Sequence, residues 1–271
     1  MLQAMHDKFE TLFGVKAEVS AFAPGRINLI GEHTDYNGGY VFPTAIELGT
    51  YGLATKRDDK LIQLYSNNFE EVGMITFTLD ELEFETAHDW ANYPKGVVKY
   101  LSEQFSDIDH GFNILVEGNI PNGASLSSSA SIELLTGWLI KQLFTLDLER
   151  LALIKIGQRV ENKFIGVNSG IMDQFIIGMG KAEQAILLDT ATLEFDYVPA
   201  KFGDYVISIM NTNKRRSLTE SKYNERRAQC ESALASLQQA LDIASLGELS
   251  LEQFEQHQDL IEDEVKRRRA R

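Results

Sequence analysis

The sequence predicts an α+β fold built in two parts. Strand-like segments punctuated by glycine, with a few helices among them, run up to about Lys214, and almost uninterrupted helical periodicity follows. Because the helical sequence is segregated at one end, an α+β architecture is expected. The 271 residues are 44% hydrophobic, which is enough to bury a substantial core.

The elements up to about Lys214 can be predicted in order. Apolar residues recur at helical spacing near the start, which predicts an amphipathic N-terminal helix: Leu2, Met5, Phe9, Leu12 and Phe13. Apolar alternation then predicts strands at 18–23, 51–56, 62–66, 112–120, 185–188 and 205–210. Two helices are expected between the fourth and fifth strands, one from near Ser129 and one from about Leu148 to Phe164.

The last part contains two marked helix starts. Ser217–Glu220 and Ser250–Gln253 both have the spacing of a capping box. Five of the last six residues are basic, which fits either a nucleic-acid patch or a solvated helix end, and the acidic balance of the chain favours the second. Since no Gly, Pro or Asn stop signal precedes Arg271, the sequence is expected to end inside a helix, as a truncated chain would.

Composition limits the classes of partner. A net charge of −14 argues against nucleic acid and anionic membranes, which would repel the chain. No apolar run approaches the ~20 residues of a membrane helix, and charges interrupt the N-terminal apolar positions as they would not in a signal peptide. Cys230 is the only cysteine, so no intramolecular disulfide can form. A cytoplasmic protein with small or neutral partners is expected.

A first polar constellation, GRINLIGEHTDYNGG, occupies residues 25–39. Pro24-Gly25 is interpreted as a turn, and Arg26 is placed where a strand meets a loop. Three side chains in the loop can accept hydrogen bonds: Glu32, His33 and Asp35. Singly, Asp35 fits an Asx-type turn and His33 a packed or solvent-facing imidazole. Together they suit recognition of a polyhydroxylated ligand.

A second constellation, PNGASLSSSAS, occupies residues 121–131 between a predicted strand and a predicted helix. A loop of small residues exposes backbone N–H groups, and the helix N-terminus adds positive potential, so the segment suits phosphate oxygens. It matches neither the Walker pattern nor GxGxxG. A Ser-rich helix cap is the structural alternative.

A third constellation spans Glu161 to Asp173. At 100° per residue, Glu161 falls on the buried side of its helix, where a carboxylate needs either a divalent cation or a lysine or arginine. Asp173 follows a turn at Gly170 and can equally be a helix N-cap.

Together the three constellations resemble those of the galactokinase family of GHMP small-molecule kinases. GRINLIGEHTDYNGG resembles the family's sugar signature, PNGASLSSSAS its phosphate-binding motif, and SGIMDQF its catalytic aspartate segment, in family order. The resemblance implies the GHMP kinase fold, with an N-terminal domain at 1–190, a mostly helical, incomplete C-terminal domain at 191–271, and an active site in the cleft between them. The implied reaction is phosphorylation of D-galactose by ATP at the anomeric hydroxyl, giving galactose 1-phosphate in galactose metabolism.

The resemblance also implies residue roles. Arg26 and Asp173 would be catalytic, flanking the anomeric hydroxyl. The remaining sugar hydroxyls would be held by Glu32, His33, Asp35, Gly170 and Tyr223. The nucleotide would be held by Trp90, Tyr93, Gly123, Ala124, Ser125, Leu126, Ser127, Ser128 and Ser129. Ser129 and Glu161 would hold Mg²⁺ directly or through water. Trp90 and Tyr93 can alternatively be ordinary core aromatics, and the complete protein is expected to be a monomer.

Two departures from the family pattern carry expectations. Ser125 stands where the family usually has glycine, which places a Cβ beside the triphosphate path and is expected to weaken nucleotide binding. Nothing in residues 231–271 resembles the family's Gly-rich third motif, so uncovered apolar surface and instability are expected. The alternatives to a working kinase are a non-catalytic galactose and ATP sensor and an inactive truncated remnant.

Overall fold

The computed structural model describes residues 2–121, 123–211 and 222–271. Its centre is an eight-stranded mixed sheet. The strands are β1 (Val19–Asn28), β2 (Tyr40–Val41), β3 (Pro43–Lys56), β4 (Leu61–Ser66), β5 (Ile75–Thr78), β6 (Phe112–Gly118), β7 (Gln184–Asp189) and β8 (Phe195–Pro199). Their order is β2-β7-β3-β6-β4-β5, with β1 paired to β3 and β8 to β7, and all pairings are antiparallel except β4 with β6. The predicted α+β class is confirmed.

Helices cover both faces of this sheet. They are α1 (Leu2–Phe13), α2 (Asn92–Ser102), α3 (Ser128–Phe144), α4 (Arg150–Arg159) and α5 (Met172–Met179). Alternation along β6 divides its side chains, because Ile114 and Val116 join the main core under α2 to α5 while Leu115 packs against α1. The predicted amphipathic N-terminal helix is confirmed, with Met5 and Phe9 fully buried.

The last described range forms a helical unit with its own small core. It contains α6 (Lys222–Leu237), α7 (Leu251–His257) and α8 (Glu264–Ala270). The capping box predicted at Ser250 is present, with both hydrogen bonds to Gln253 formed. The one predicted at Ser217–Glu220 lies outside the described residues. The basic residues near the end belong to α8, as predicted for a helix.

Two predicted features are wrong. Residues 205–210 form no strand and pair with no described strand, and Val206 and Met210 are about 90% exposed. An alternating apolar pattern cannot form a strand without a neighbour to take its backbone hydrogen bonds. The helix predicted from about Leu148 to Phe164 is present: it begins at Arg150 and continues as a π-helix at Val160–Ile165.

The second correction concerns Pro24-Gly25, which is a register shift within β1 and not a turn. The strand continues to Asn28, so Arg26 lies inside a strand and not at its junction with a loop. A Cβ on Gly25 would lie 2.7 Å from the carbonyl oxygen of Leu126, to which the Arg26 N–H donates at 3.1 Å. The glycine therefore allows the loop before α3 to dock against β1.

Candidate active site

Arg26 and Asp173 meet in a bidentate ion pair. Arg26 Nε donates to Asp173 Oδ1 and Nη2 donates to Oδ2, both at 2.8 Å. β1 supplies the arginine, and the first turn of α5 supplies the aspartate. Asp173 is not the N-cap, a position that Ile171 occupies. Parallel N–H donors fix both the position and the orientation of the carboxylate, as a reacting group requires.

The serine-rich loop lies beside this pair. Ser127 Oγ donates to Asp173 Oδ2, and Arg26 Nη1 donates to the carbonyl oxygen of Ser125 at 2.6 Å. The backbone is left-handed at Gly123, Ser125 and Ser127, with φ of 73°, 57° and 61°. Such turns direct consecutive N–H groups to one side and form an anion-binding concavity.

The loop leads directly into α3, which begins at Ser128. Ser127 occupies the N-cap position without making a side-chain cap, so the Ser-rich cap alternative does not describe its hydroxyl. Ala124 is half-buried, and Leu126 is buried and anchors the loop. The exposed Ser125 and Ser128 and the half-buried Ser129 are left to meet a ligand at a helix N-terminus, where anions are favoured.

Glu161 is buried beside Ser129, whose Oγ donates to Glu161 Oε1 at 2.7 Å. Within the described part of the chain, no lysine or arginine forms an ion pair with this carboxylate, so the salt-bridge alternative is not realised there. Burial raises the pKa of Glu161 and Asp173 adds to the rise, while hydrogen bonds from Ser169 and Ser129 oppose it. The partners of this buried carboxylate, Ser129, Ser169 and the Gln174 amide, are all neutral, so its chemistry leaves a place for a cation.

Asp35 reaches the same site from the first constellation. Its Oδ2 accepts the N–H of Met172 at 3.4 Å, at the start of α5. A Cβ on Gly170 would lie 2.0 Å from that oxygen, so only glycine permits the carboxylate here. Burial, followed by the negative charge of Asp173, raises the pKa of Asp35 to about 6. The hydrogen bond from the Met172 N–H comes from a segment distant in sequence. The Asp35 carboxylate therefore does more than close a local Asx turn.

His33 belongs to an aromatic group that joins the two parts of the chain. Its Nδ1 lies 2.8 Å from Tyr36 Oη, and its ring centroid is 5.2 Å from that of Tyr223 on α6. Arg226 Nη1 lies 3.4 Å from His33 Nε2. Burial lowers the pKa of His33, and the Arg226 charge lowers it further. Because a guanidinium can only donate, this contact favours a neutral ring with Nε2 as acceptor.

Glu32 is more peripheral than its two neighbours. It is exposed and accepts a hydrogen bond from Asn28 Nδ2 at 3.0 Å. The structure gives it no contact with Asp35 or Asp173.

Trp90 and Tyr93 line a cavity of about 250 Å³ that reaches the start of α3. Both are largely buried, yet they face this space, so they are not simply core aromatics. Other residues lining it include Thr50, Ser66, Asn68 and Ser129. Because Ser129 faces both the cavity and Glu161, the aromatic pocket and the loop form one continuous site.

Several contacts could not be predicted from local patterns. Thr50 lies on β3, Ser66 ends β4 and Asn68 follows it, while Arg226 is one of several charged residues on α6. None carries a spacing signal in the sequence. The pairing of Ser127 with Asp173 was also missed, because the motif predicts a role for the serine only toward phosphate.

Comparisons with known proteins give a consistent relationship. The galactokinase galactose-binding signature matches residues 7–56, and the GHMP kinases N terminal domain matches residues 92–181. A galactokinase of Staphylococcus saprophyticus is 82% identical over 271 residues, which are 100% of this chain and 70% of that protein. A galactokinase of Staphylococcus carnosus is 71% identical with the same coverage.

A solved structure agrees with these relatives. The crystal structure of Lactococcus lactis galactokinase complexed with galactose has a TM-score of 0.94 and 53% sequence identity, and covers 99% of this chain and 70% of that one. No helix in the three described ranges is long and apolar enough to span a membrane. The signature match covers the first constellation, and the domain match covers the serine-rich loop and Asp173. On these grounds, and on the identity to the two galactokinases, the chain belongs to the galactokinase family of the GHMP kinases.

Proposed function

We propose that this chain phosphorylates D-galactose with ATP at the anomeric hydroxyl, giving galactose 1-phosphate. The observation that carries the proposal is the Arg26–Asp173 pair, which is contacted on one side by the serine-rich loop and on the other adjoins Asp35 through the start of α5. A phosphoryl donor and a polyhydroxylated acceptor can therefore meet at one carboxylate. The galactokinase of Lactococcus lactis, which shares this fold, was solved with galactose.

The sugar is assigned to the side of the site formed by the first constellation and α6. Asp35 offers a carboxylate acceptor, and His33 would offer Nε2 to a sugar hydroxyl in exchange for its contact with Arg226. Glu32, Gly170 and Tyr223 complete the proposed sugar contacts. Since Tyr223 comes from 191–271 and His33 from 1–190, their ring contact supports a cleft between the two proposed domains.

The nucleotide is assigned to the opposite side. Trp90 and Tyr93 would stack against the adenine in the cavity, and the loop from Gly123 to Ser129 would direct N–H groups at the phosphates. ATP is the phosphoryl donor implied by membership of the GHMP kinases. We place the reaction in the cytoplasm, where ATP is available.

Asp173 is the residue nearest to the proposed chemistry. Its carboxylate either accepts the proton of the anomeric hydroxyl or orients that hydroxyl for attack. Arg26 holds the carboxylate in place and provides positive charge where the transferring oxygen becomes more negative. Phosphoryl transfer depends mainly on positioning and charge stabilisation, which these two residues supply.

Ser129 and Glu161 fit a magnesium ion. A hydroxyl and a buried carboxylate without a cationic partner are hard oxygen ligands, and Mg²⁺ commonly uses one or two such groups together with substrate phosphates. Among the described residues no cluster of three or more His, Cys, Asp or Glu could hold a metal ion, so substrate phosphates would have to supply the remaining ligands of this proposed site. When bound, the ion would neutralise charge on the phosphates.

Galactose-dependent formation of sugar phosphate from MgATP by the 271-residue chain tests the proposal. Asp173→Ala and Arg26→Ala should each lower turnover by about 10²-fold or more while the variants remain folded. A folded wild-type chain that binds galactose and ATP without turnover would be a sensor, and wild-type turnover in folded Asp173→Ala would remove its assigned role. Competition between galactose and its 2-acetamido derivative would establish the sugar preference.

A further inference from the structure

Glu133 and Gln174 form a buried polar pair that the roles above do not use. Glu133 lies on α3, four residues after Ser129, and Gln174 lies on α5, directly after Asp173. Both residues are 0% exposed. Gln174 Nε2 donates to Glu133 Oε2 at 3.1 Å. The pair thus joins α3, which follows the serine-rich loop, to α5, which carries Asp173, the proposed catalytic aspartate.

Close packing by α4 holds this contact in place. A Cβ on Gly157 would lie 3.0 Å from Gln174 Cγ and 3.3 Å from Glu133 Oε2. A side chain larger than glycine on α4 would press on both members of the pair. Three helices therefore meet at this point, and the position of Gln174 is determined from both sides.

Hydrogen-bond accounting leaves two oxygens without partners. Glu133 Oε1 and Gln174 Oε1 are both buried, and neither has a partner in the described part of the chain. An ionised carboxylate and an amide oxygen are both acceptors, so neither can satisfy the other. A protonated carboxyl has an O–H to donate to the amide oxygen while its carbonyl oxygen accepts the amide N–H. One proton on Glu133 supplies the donor that the pair lacks.

The surroundings favour that neutral form. The titratable groups that act on Glu133 are Glu161 on the π-helix, Asp173 on α5 and Tyr93 on α2, and the two carboxylates disfavour a further negative charge. Burial is the largest effect and raises the pKa of Glu133 well above its ordinary value. No lysine or arginine of the described residues forms an ion pair with Glu133.

We infer that Glu133 is a positioning residue, a neutral acid that holds Gln174. Through Gln174 it fixes the neighbouring Asp173 relative to the serine-rich loop. This inference rests on the proposed function, because it assigns Asp173 the reacting position. Both side chains are fully buried and neither lines the aromatic cavity, so their effect is expected on the rate of the chemical step and not on substrate affinity. A displacement of about 1 Å at a reacting group can cost roughly 10²-fold in rate.

Three variants of the full chain test this role. Glu133→Gln keeps a side chain that can exchange two hydrogen bonds with Gln174, and should rescue turnover to within about 3-fold of wild type. Glu133→Met keeps the length and removes the partner, and should lower kcat by about 10-fold or more with KM for galactose and ATP within about 3-fold. The double variant Glu133→Met with Gln174→Met should regain part of the stability in urea because neither member of the pair is left buried without the other. Its kcat should stay low.

The outcomes separate positioning from a purely structural role. Wild-type kcat in folded Glu133→Met would overturn the inference, as would recovery of kcat together with stability in the double variant. Loss of turnover in a folded Glu133→Gln variant would show that the charge is needed and would also overturn it. If Glu133→Met does not fold, the conservative and double variants still decide. Absence of turnover in folded wild-type chain refutes the proposed function itself, whereas wild-type turnover with an unaffected Glu133→Met refutes only the positioning role.

Discussion

Replacing Asp35 by asparagine should make the protein more stable at neutral pH and a poorer binder of galactose. The Asp35 carboxyl accepts the backbone N–H of Met172 and lies against Gly170. Burial and the nearby charge of Asp173 raise its pKa from 3.8 to about 6. The folded protein thus resists ionising a group that ionises readily in the unfolded chain.

The sign and size of the effect follow from that difference. A carboxyl whose pKa is raised by folding contributes stability that is fully present below its unfolded pKa of 3.8 and is lost as the pH rises through about 6. A rise of this size corresponds to about 3 kcal/mol, and allowing for partial exposure of Asp35 leaves about 1–2 kcal/mol. Since asparagine does not titrate, Asp35→Asn should gain that much over wild type between acidic and neutral pH.

Sugar binding should change in the opposite direction. Loss of a charged acceptor costs about 1.5–3 kcal/mol, or roughly 10- to 100-fold in galactose affinity. Wild-type affinity should itself fall as the pH drops below about 6, because the protonated Asp35 loses acceptor capacity. The variant should show no such fall from this group.

The assay is urea unfolding of wild type and Asp35→Asn across acidic to neutral pH, with galactose affinity from calorimetry on the same samples. Asp59→Asn is the matched control, because a hydrogen bond from Arg57 lowers the pKa of the exposed Asp59 to about 2. The ionised Asp59 carboxylate favours the folded state above pH 3.8. The stability difference between Asp59→Asn and wild type should therefore change with pH in the opposite direction to that of Asp35→Asn. A stability difference for Asp35→Asn that does not change with pH would refute the reasoning, and unchanged galactose affinity would refute the sugar role.

Three further predictions concern neighbouring parts of the site. Gly170→Ala places a Cβ 2.0 Å from Asp35 Oδ2 and should raise KM for galactose about 10-fold or more with KM for ATP unchanged; equal changes in both would contradict this. Ser125→Gly removes a side chain at φ 57° and should raise the free energy of unfolding by about 0.5–1 kcal/mol and lower KM for ATP; a higher KM would show that the serine assists binding. Chelation of Mg²⁺ should weaken ATP binding measured by calorimetry and leave galactose binding unchanged, whereas equal ATP affinity in EDTA would remove the metal role of Glu161.

Sequence patterns predicted those strands, helices and caps that depend only on residues within one short segment. The strand predicted at 112–120, the helix after it and the capping box at Ser250 are present because each depends on residues close in sequence, although the first five residues of that strand are all buried. The three constellations also converge, although their separation in sequence hides this. Arg26 and Asp173 are 147 positions apart, yet they form a bidentate pair.

Features that depend on a distant partner were not predictable in this way. The sequence pattern predicts a turn at Gly25 because glycine usually marks one. In the structure, Gly25 lies in a strand, and its lack of a side chain lets the carbonyl oxygen of Leu126 pack against that strand. Residues 205–210 alternate as a strand does, but no described strand lies beside them. Whether the exposed apolar side chains of that segment lead to aggregation stays a prediction, which light scattering of the purified chain would decide.

Four chemically similar side chains in the site are separated by the partner that each one has. They are Asp35, Glu133, Glu161 and Asp173. A bidentate guanidinium suits an ionised and fixed carboxylate, which is what a base or orienting group must be. A glutamine amide suits a neutral acid in a purely internal contact. A serine hydroxyl leaves acceptor capacity for a cation, and a long backbone bond leaves capacity for a sugar hydroxyl. Because the four partners differ, replacing the partner of one acid should change the role of that acid while the fold is kept.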